Sequence, residues 1–420
     1  MASNSATALL AATQEHPRDA TDEAIRFSVI ILLASLVLQR FALPFGGLPL
    51  NVVGPIGLVL AVYYLWTGAL VLDQRRVAAL LILAAASLLG TLVSVALSIT
   101  RLPVPTWTSL SQFLLLCSFA VVTFRDQVDE KRFFRAVNAC HAFIGIAGIL
   151  QFAVQFSGLS MFTFRGYAPD SLLYPDNSWN DAYQIPGSHY MKANGFFLVE
   201  PSVYSQVMAI GLAIEIVYFR RLSRLAIFSL GLVLSVSGTG WMVLGAFVAG
   251  AVTRMGGRGL AIGIGTVVCG LLALGVLSVA LPDVFEVLLS RVDEFSSPGS
   301  SGHQRFITPW WVLAQAIEWA PWTAFVGLGA GTSERLILPY QYGMSTPLKI
   351  VIEYGLPALG AFFALFLAAN RTPGQSAILP AALMWFLFTG TYVQFPPILY
   401  SVLLLVAVAR LRQSPAAAPQ

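Results

Sequence analysis

The 420-residue chain is 57% hydrophobic and only 10% charged, with a mean hydropathy of +0.76. A soluble fold of this length needs far more charge to cover its surface, so composition excludes a water-soluble domain and implies a polytopic membrane protein. The formal charge of +4 requires no nucleic-acid partner, because cytoplasmic loops of membrane proteins carry surplus Lys and Arg.

Residues 1–24 are polar and acidic, unlike a cleavable signal peptide, and read as a disordered cytoplasmic tail. A spanning helix needs about 20 mostly apolar residues. Such runs occupy 25–43, 50–72, 77–100, 108–124, 133–157, 198–219, 225–237, 240–253, 259–281, 347–369, 376–394 and 396–410. They predict an all-α polytopic membrane protein, with one transmembrane domain over 25–410, about 12 helices, and a second cytoplasmic tail at 411–420.

One segment is awkward. Leu225 to Gly238 is short for a span, and S237-G-T-G240 interrupts it before apolar residues resume. A hairpin of two short helices puts Arg220, Arg221, Arg224, Arg254 and Arg258 on one side, together with Arg75, Arg76, Arg125, Lys131, Arg132, Arg135, Arg371, Arg410 and Arg412. A single span divides them. Basic residues gather on the cytoplasmic side, so the hairpin is expected, with both chain ends cytoplasmic.

Two long loops then fall outside, about 158–197 and 282–346, both rich in Trp, Tyr, Pro and Gly. Loops of this length are functional or disordered, and the aromatic content argues for order against the membrane surface. Within the second, T308-P-W-W-V-L-A-Q-A-I-E318 predicts an interfacial helix with Thr308 as N-cap and Pro309 at the first helical position. Trp310, Leu313, Ala314 and Ile317 share one of its faces. Cys117, Cys140 and Cys269 lie in apolar runs without disulfide or zinc spacing. The four histidines form no H-x-x-x-H or E-x-x-H pair, so no metal or other cofactor is expected.

Ionisable groups at a membrane boundary are costly unless paired, hydrated or in use. In K192-A-N-G-F-F-L-V-E-P-S-V-Y-S-Q206, Pro201 suits a first helical turn, which makes Glu200 the N-cap. Glu200 either offsets the positive helix end or acts as base and hydrogen-bond acceptor, with Tyr204 and Met208 below it. Lys192 either meets solvent and headgroups or swings over the same helix mouth. In S300-S-G-H-Q-R305, Arg305 is the favoured anion clamp, with headgroup binding as its alternative, and His303 is a group able to titrate near neutral pH.

Gly329 and Gly331 in V326-G-L-G-A-G-T-S333 permit close backbone approach, to a helix or to a ligand phosphate. No strand precedes them, so this is no dinucleotide motif. Lys349 and Glu353, four residues apart, can pair. Glu215 can snorkel to the cytoplasmic edge, and Arg40 is expected to reach the outer headgroups. Arg165, Arg291 and Arg335 are further outer cations.

Across roughly 140–370 the chain resembles the superfamily of O-antigen ligases and Wzy-type polysaccharide polymerases of bacterial inner membranes. Three signatures carry the resemblance: a basic residue, G-x-F and a proline at a span start (Lys192, Gly195, Phe197, Pro201); a short apolar helix ending in S237-G-T-G240; and an arginine, an aromatic helix and a glycine-rich turn (Arg305, Trp310/Trp311, G327-L-G-A-G331). Ligases add H-N-x-x-L…E-x-G. Here Leu348, Glu353 and Gly355 fit, but Met344 and Ser345 take the His-Asn positions. Lysine also replaces the arginine before G-x-F, and Gly238 that of S-R-G. These departures turn the expectation towards an exopolysaccharide or O-unit polymerase, with a ligase in which His303 or His189 stands in as the alternative.

The resemblance implies metal-independent glycosyl transfer at the periplasmic face, between undecaprenyl-pyrophosphate-linked donor and acceptor glycans, among membrane lipids and with a chain-length co-polymerase as a further partner. The candidates for catalysis are then Glu200, Arg305 and His303, and those for pyrophosphate or glycan binding are Lys192, Arg305, Tyr204, Gly329, Gly331, Arg291 and Glu353. A secondary transporter is the distant alternative. Transporters place ionisable groups at the midplane in repeated halves, whereas this chain has an almost charge-free middle and no internal repeat.

Overall fold

The computed structural model describes residues 17–45, 48–97, 102–159, 162–173, 182–185, 187–280, 282–290, 296–298, 300–339, 342–369, 378–389 and 411–412. The chain is mostly helical, with little strand. Among the described residues five helical stretches are long and apolar enough to cross a membrane: Gln74–Leu97, Glu130–Ser157, Pro201–Phe219, Gly238–Val276 and Thr346–Phe366. Shorter apolar helices, such as Val53–Trp66 and Leu222–Leu234, stand beside them. Helix α1 (Pro17–Val37) already begins within the segment read as a tail, while residues 1–16 and the expected span 396–410 lie outside the described residues.

Helices α2 (Val53–Trp66), α3 (Gln74–Leu97) and α4 (Trp107–Ser118) lead to α5 (Glu130–Val154), whose N-cap Asp129 accepts from the Arg132 amide at 2.7 Å. The core of the molecule is α6 (Pro201–Ile214), prolonged by a π-helical turn over Glu215–Phe219. Of its first fourteen residues all but Ser202 are buried. Glycines let its neighbours close on it. Gly148 and Gly145 of α5 face Tyr204 and Met208, while Gly231 of α7 (Leu222–Leu234) faces the same pair and Phe228 meets Gly211. Both helices therefore run antiparallel to α6.

Helix α8 (Gly238–Ala280) starts beside α6 and runs parallel to it, Gly240 resting on the Ser205 carbonyl. At Gly256 the backbone leaves helical geometry (φ 57°, ψ −132°). Beyond it Gly259 packs on the Ala251 carbonyl and Gly263 on Val248, so the second leg folds back along the first. The hairpin turning at S237-G-T-G240 thus exists, with α7 and the first leg of α8 on opposite courses against α6.

The later elements are α9 (Pro282–Ser290), α10 (Ser301–Phe306), α11 (Thr308–Trp319), α12 (Thr323–Val326), α13 (Thr346–Ala369) and α14 (Leu379–Met384). Thr308 is the first residue of α11 rather than its cap, which is Ile307, and its hydroxyl donates back to the His303 carbonyl at 3.2 Å instead of accepting from the helix. Val312 and Ala316 of α11 face the interior, and Trp310 and Trp311 are exposed.

Many of the described basic residues collect at one end of the bundle. There Arg132 pairs with Asp22 at 2.5 Å, Arg76 bonds the Ala120 carbonyl at 3.3 Å, Arg125 covers Gly68, and strand Leu411–Arg412 pairs in parallel with Val128–Asp129. Arg221 closes the same end of α6 through Glu215.

Candidate functional site

Glu200 lies at the opposite end of α6. Its backbone is extended (φ −138°, ψ 151°), and Pro201, with no amide hydrogen to lose, opens the helix after it. The carboxylate does not cap its own helix. One oxygen, Oε2, instead accepts from the Ser202 hydroxyl at 2.6 Å and from Arg305 Nη2 at 3.1 Å. The Arg305–Glu200 ion pair joins groups 105 residues apart and brings the segment before α6 to the second long loop. Its side chains are 29% and 22% exposed. A partly exposed pair of this kind contributes about 1 kcal/mol or less to stability, too little to be what holds the loops together.

The pair borders a cleft of about 250 Å³ lined also by Lys192, Ser202, Val236, Ser237, Thr239 and Phe306. All three sequence signatures therefore contribute to one space: Lys192 and Pro201 from the first, Ser237–Thr239 from the second, Arg305 from the third. Helices α6 and α8 both begin here, and a helix N-terminus carries about half a positive charge. The Ser205 hydroxyl accepts from the Gly240 amide at 3.1 Å and lies 3.2 Å from the Thr239 hydroxyl, which is 3.1 Å from that of Ser237. Two cations and two helix starts face one carboxylate, so the cleft has the electrostatics of an anion site with a base beside it.

Val236, on the cleft wall, has φ 46°. This is left-handed backbone that a β-branched residue rarely adopts, and it costs on the order of 1–3 kcal/mol. The turn is held in place nonetheless: the Val236 amide bonds Val233 O at 3.0 Å and the Ala193 amide bonds Leu234 O at 3.0 Å.

Compared with known proteins, the sequence matches no family model and no curated protein. The assignment of each residue therefore rests on geometry.

Several expected site residues lie elsewhere. Tyr204 is fully buried among Gly148, Gly195 and Gly231, and donates to the Gly145 carbonyl at 3.1 Å. It packs helices and is not among the residues that line the cleft. His303 is also buried, its Nδ1 3.1 Å from the Thr308 hydroxyl and its ring edge-on to Trp311. It joins α10 to α11 and does not line the cleft. Gly329 and Gly331 (φ 90° and 68°) press on Pro105 and Ser109, while Ala330 O accepts from Thr106 N at 2.9 Å. Their close approach is to the start of α4, and neither lines the cleft.

Glu353 is fully buried in α13, accepting from Ser333 at 2.5 Å with Lys349 3.8 Å away. It anchors the glycine turn, as does Arg335 through the Gly331 carbonyl at 2.8 Å. Glu215, also fully buried, does not snorkel but takes Arg221 at 2.8 Å. Arg291 lies outside the described residues.

Arg40 is the largest departure. It is fully buried and reaches no headgroup. Its Nε and Nη2 donate to Leu198 O at 3.0 and 2.6 Å, and its Nη1 to Phe162 O at 3.2 Å. Asn194 Nδ2 shares the Phe162 carbonyl at 3.3 Å, Gln151 holds Asn194 at both ends (2.7 and 2.9 Å), and Gln39 Oε1 accepts from Val199 N at 3.3 Å. These four buried side chains fix the backbone between Lys192 and Glu200, and so set where both groups point. A cation at a span end reads the same in sequence whether it turns outward or inward. A Gln-Arg pair there, unlike a lone Arg, was the available signal.

Proposed function

We propose that the chain is a glycosyltransferase that polymerises lipid-linked repeat units of an exopolysaccharide or O-antigen, with about 12 spans, both ends cytoplasmic, and the cleft at the periplasmic face of a bacterial inner membrane. The observation that carries the reading is the Arg305–Glu200 pair at 3.1 Å, with Lys192 on the same cleft. In the proposed reaction an acceptor hydroxyl oxygen attacks the anomeric carbon of the donor with inversion. The anomeric C–O bond breaks, its electron pair leaves with the undecaprenyl pyrophosphate, and Glu200 takes the hydroxyl proton. Both hydrogen bonds to Glu200 engage Oε2, which leaves Oε1 for the acceptor.

Arg305 and Lys192 stabilise the charge growing on the leaving pyrophosphate. Electrostatic stabilisation of this kind is usually the largest catalytic contribution. Two unit charges about 4 Å apart are worth about 4 kcal/mol at an effective dielectric near 20. The amide-rich starts of α6 and α8 add to the same field.

A polymerase is favoured over a ligase by the segment that replaces the ligase His-Asn. Gly343 N bonds Gln304 O at 2.9 Å, beside Arg305, but Met344 and Ser345 that follow are buried and supply no acid or base. His303 is buried and is not among the residues that line the cleft.

The test is Glu200→Gln and Arg305→Ala in a strain lacking the native gene. Loss of long-chain glycan, with single repeat units accumulating on the lipid carrier, is expected from both. Full-length glycan stranded on the carrier instead marks a ligase, and normal polymer from both variants removes the site.

A further inference from the structure

Among the described residues two aromatic side chains line the polar cleft, Tyr183 and Phe306, and the reaction described above uses neither. Tyr183 comes from the first long loop, where an antiparallel bridge joins Gln184 to Met191. The Lys192 amide donates to the Tyr183 carbonyl at 2.7 Å and the Ile185 amide to the Tyr190 carbonyl at 2.8 Å, and Ile185 is fully buried. Tyr183 and Lys192 therefore stand directly opposite each other beside this bridge. Opposed residues share a face, with Cβ atoms about 5 Å apart, and both of these side chains line the cleft. The ring stands next to the cation proposed for the pyrophosphate.

The lining divides by origin. The starts of α6 and α8 bring hydroxyls, those of Ser202, Ser237 and Thr239, while the two long loops bring the rings. A bare phosphate makes no use of a ring. A hydrocarbon chain laid against the hydroxyls removes their water and returns no bond. A pyranose suits both, because it carries a face of C–H groups and a rim of hydroxyls. Its face can lie on an aromatic ring while its rim exchanges hydrogen bonds with serine and threonine.

We infer that Tyr183 is the sugar platform of the cleft, its ring stacked on the C–H face of the pyranose joined to the pyrophosphate that Lys192 holds. The inference rests on the function proposed above and adds what the cleft selects: a sugar-bearing lipid diphosphate over a bare one. Ring and cation on one bridge grip the two neighbouring parts of the donor, sugar and pyrophosphate, and so hold the anomeric carbon between them beside Glu200 and Arg305. Phe306 follows Arg305 in α10, a helix that also carries the buried His303, so its removal would disturb more than a ring. The bonds printed by the Tyr183 bridge are backbone bonds, which outlast truncation of the side chain.

The experiment measures binding by the full chain in nanodiscs to two probes. One is the repeat unit on its undecaprenyl pyrophosphate carrier, extracted from a strain lacking the gene; the other is undecaprenyl pyrophosphate without sugar. Wild type should prefer the sugar-bearing probe, and Tyr183→Ala should reduce that preference roughly three- to tenfold, with binding of the sugar-free probe and the thermal midpoint unchanged. Tyr183→Phe and Tyr183→Trp should keep the preference. Should the alanine variant misfold, Tyr183→Leu carries the same expectation. Full preference in Tyr183→Ala overturns the platform, and so does its loss in Tyr183→Phe, because the contact is then with the hydroxyl. Equal weakening of both probes by Tyr183→Ala also overturns it, since the ring then only supports the cleft. If wild type binds the two probes alike while Arg305→Ala still blocks polymer, the platform falls alone. If the strain accumulates no single repeat unit on the carrier, the functional reading falls with it.

Discussion

Helix α6 carries a glutamate–arginine pair at each end, and the two are built differently. At the basic end, Glu215 is fully buried and accepts from Arg221 N, Nε and Nη2 at 2.8, 2.9 and 2.8 Å and from Asn138 Nδ2 at 2.8 Å, covering both oxygens. At the other end Glu200 takes two donors on one oxygen, stays 22% exposed and borders a cleft. A buried carboxylate must be saturated, because each missing bond costs the full desolvation of the group. A carboxylate with spare capacity beside a cavity can be kept for a substrate. Bond saturation, more than residue type, separates the structural pair from the one proposed for chemistry.

Substitutions can break this contrast. The largest effect expected is on turnover: Glu200→Gln should cut polymer synthesis roughly 100- to 10,000-fold, the usual share of a general base, with a stability change of at most about 1 kcal/mol. Glycan gel profiles and thermal unfolding of the purified protein measure the two quantities. Glu215→Ala should do the reverse, costing about 1–3 kcal/mol, because the buried Asn138 amide loses its acceptor while the part-exposed Arg221 can turn to solvent. It should appear as a fall in folded yield and melting temperature. Wild-type stability in that variant would erase the distinction between the two ends.

Arg40→Met sharpens the comparison from a distance. It frees the backbone two residues before Glu200, and a misplacement of about 1 Å can cost roughly 100-fold in rate. Combined with Glu200→Gln it should add nothing further to the activity loss, whereas independent losses would mean that Arg40 does not act through Glu200. The smallest effect is expected from His303→Gln. The amide can keep a bond to Thr308, so polymer should stay within about threefold of wild type, a barrier change under about 1 kcal/mol. A much larger loss measured by the same gels would return His303 to the chemistry.

How much of this was legible beforehand depends on the range of the interaction. The proline after Glu200 announced the start of α6, S237-G-T-G240 announced the hairpin tip, and the clustering of arginines announced which elements share an end. Lys192, Glu200 and Arg305 were readable as candidates because charge at a membrane boundary is conspicuous. Tyr204 and His303 lie away from the cleft for a reason that local sequence does not show: their neighbours in the chain line it, but their own side chains are buried. The glycine turn was ambiguous until Pro105 and Ser109 arrived from another part of the chain to occupy its surface.

The sequence by itself determined a helical, membrane-embedded chain and where its main helices begin, because hydropathy runs, caps and breakers act within a few residues. Only the tertiary structure decided that three distant signatures share one cleft, that Arg40 faces inward to hold Glu200 in place, and that Gly259 and Gly263 close the two legs of α8 on each other. Each of those outcomes turns on which surfaces meet across more than a hundred residues or across a helix reversal. Local pattern carries no record of such meetings, because burial is a property of the partner as much as of the residue.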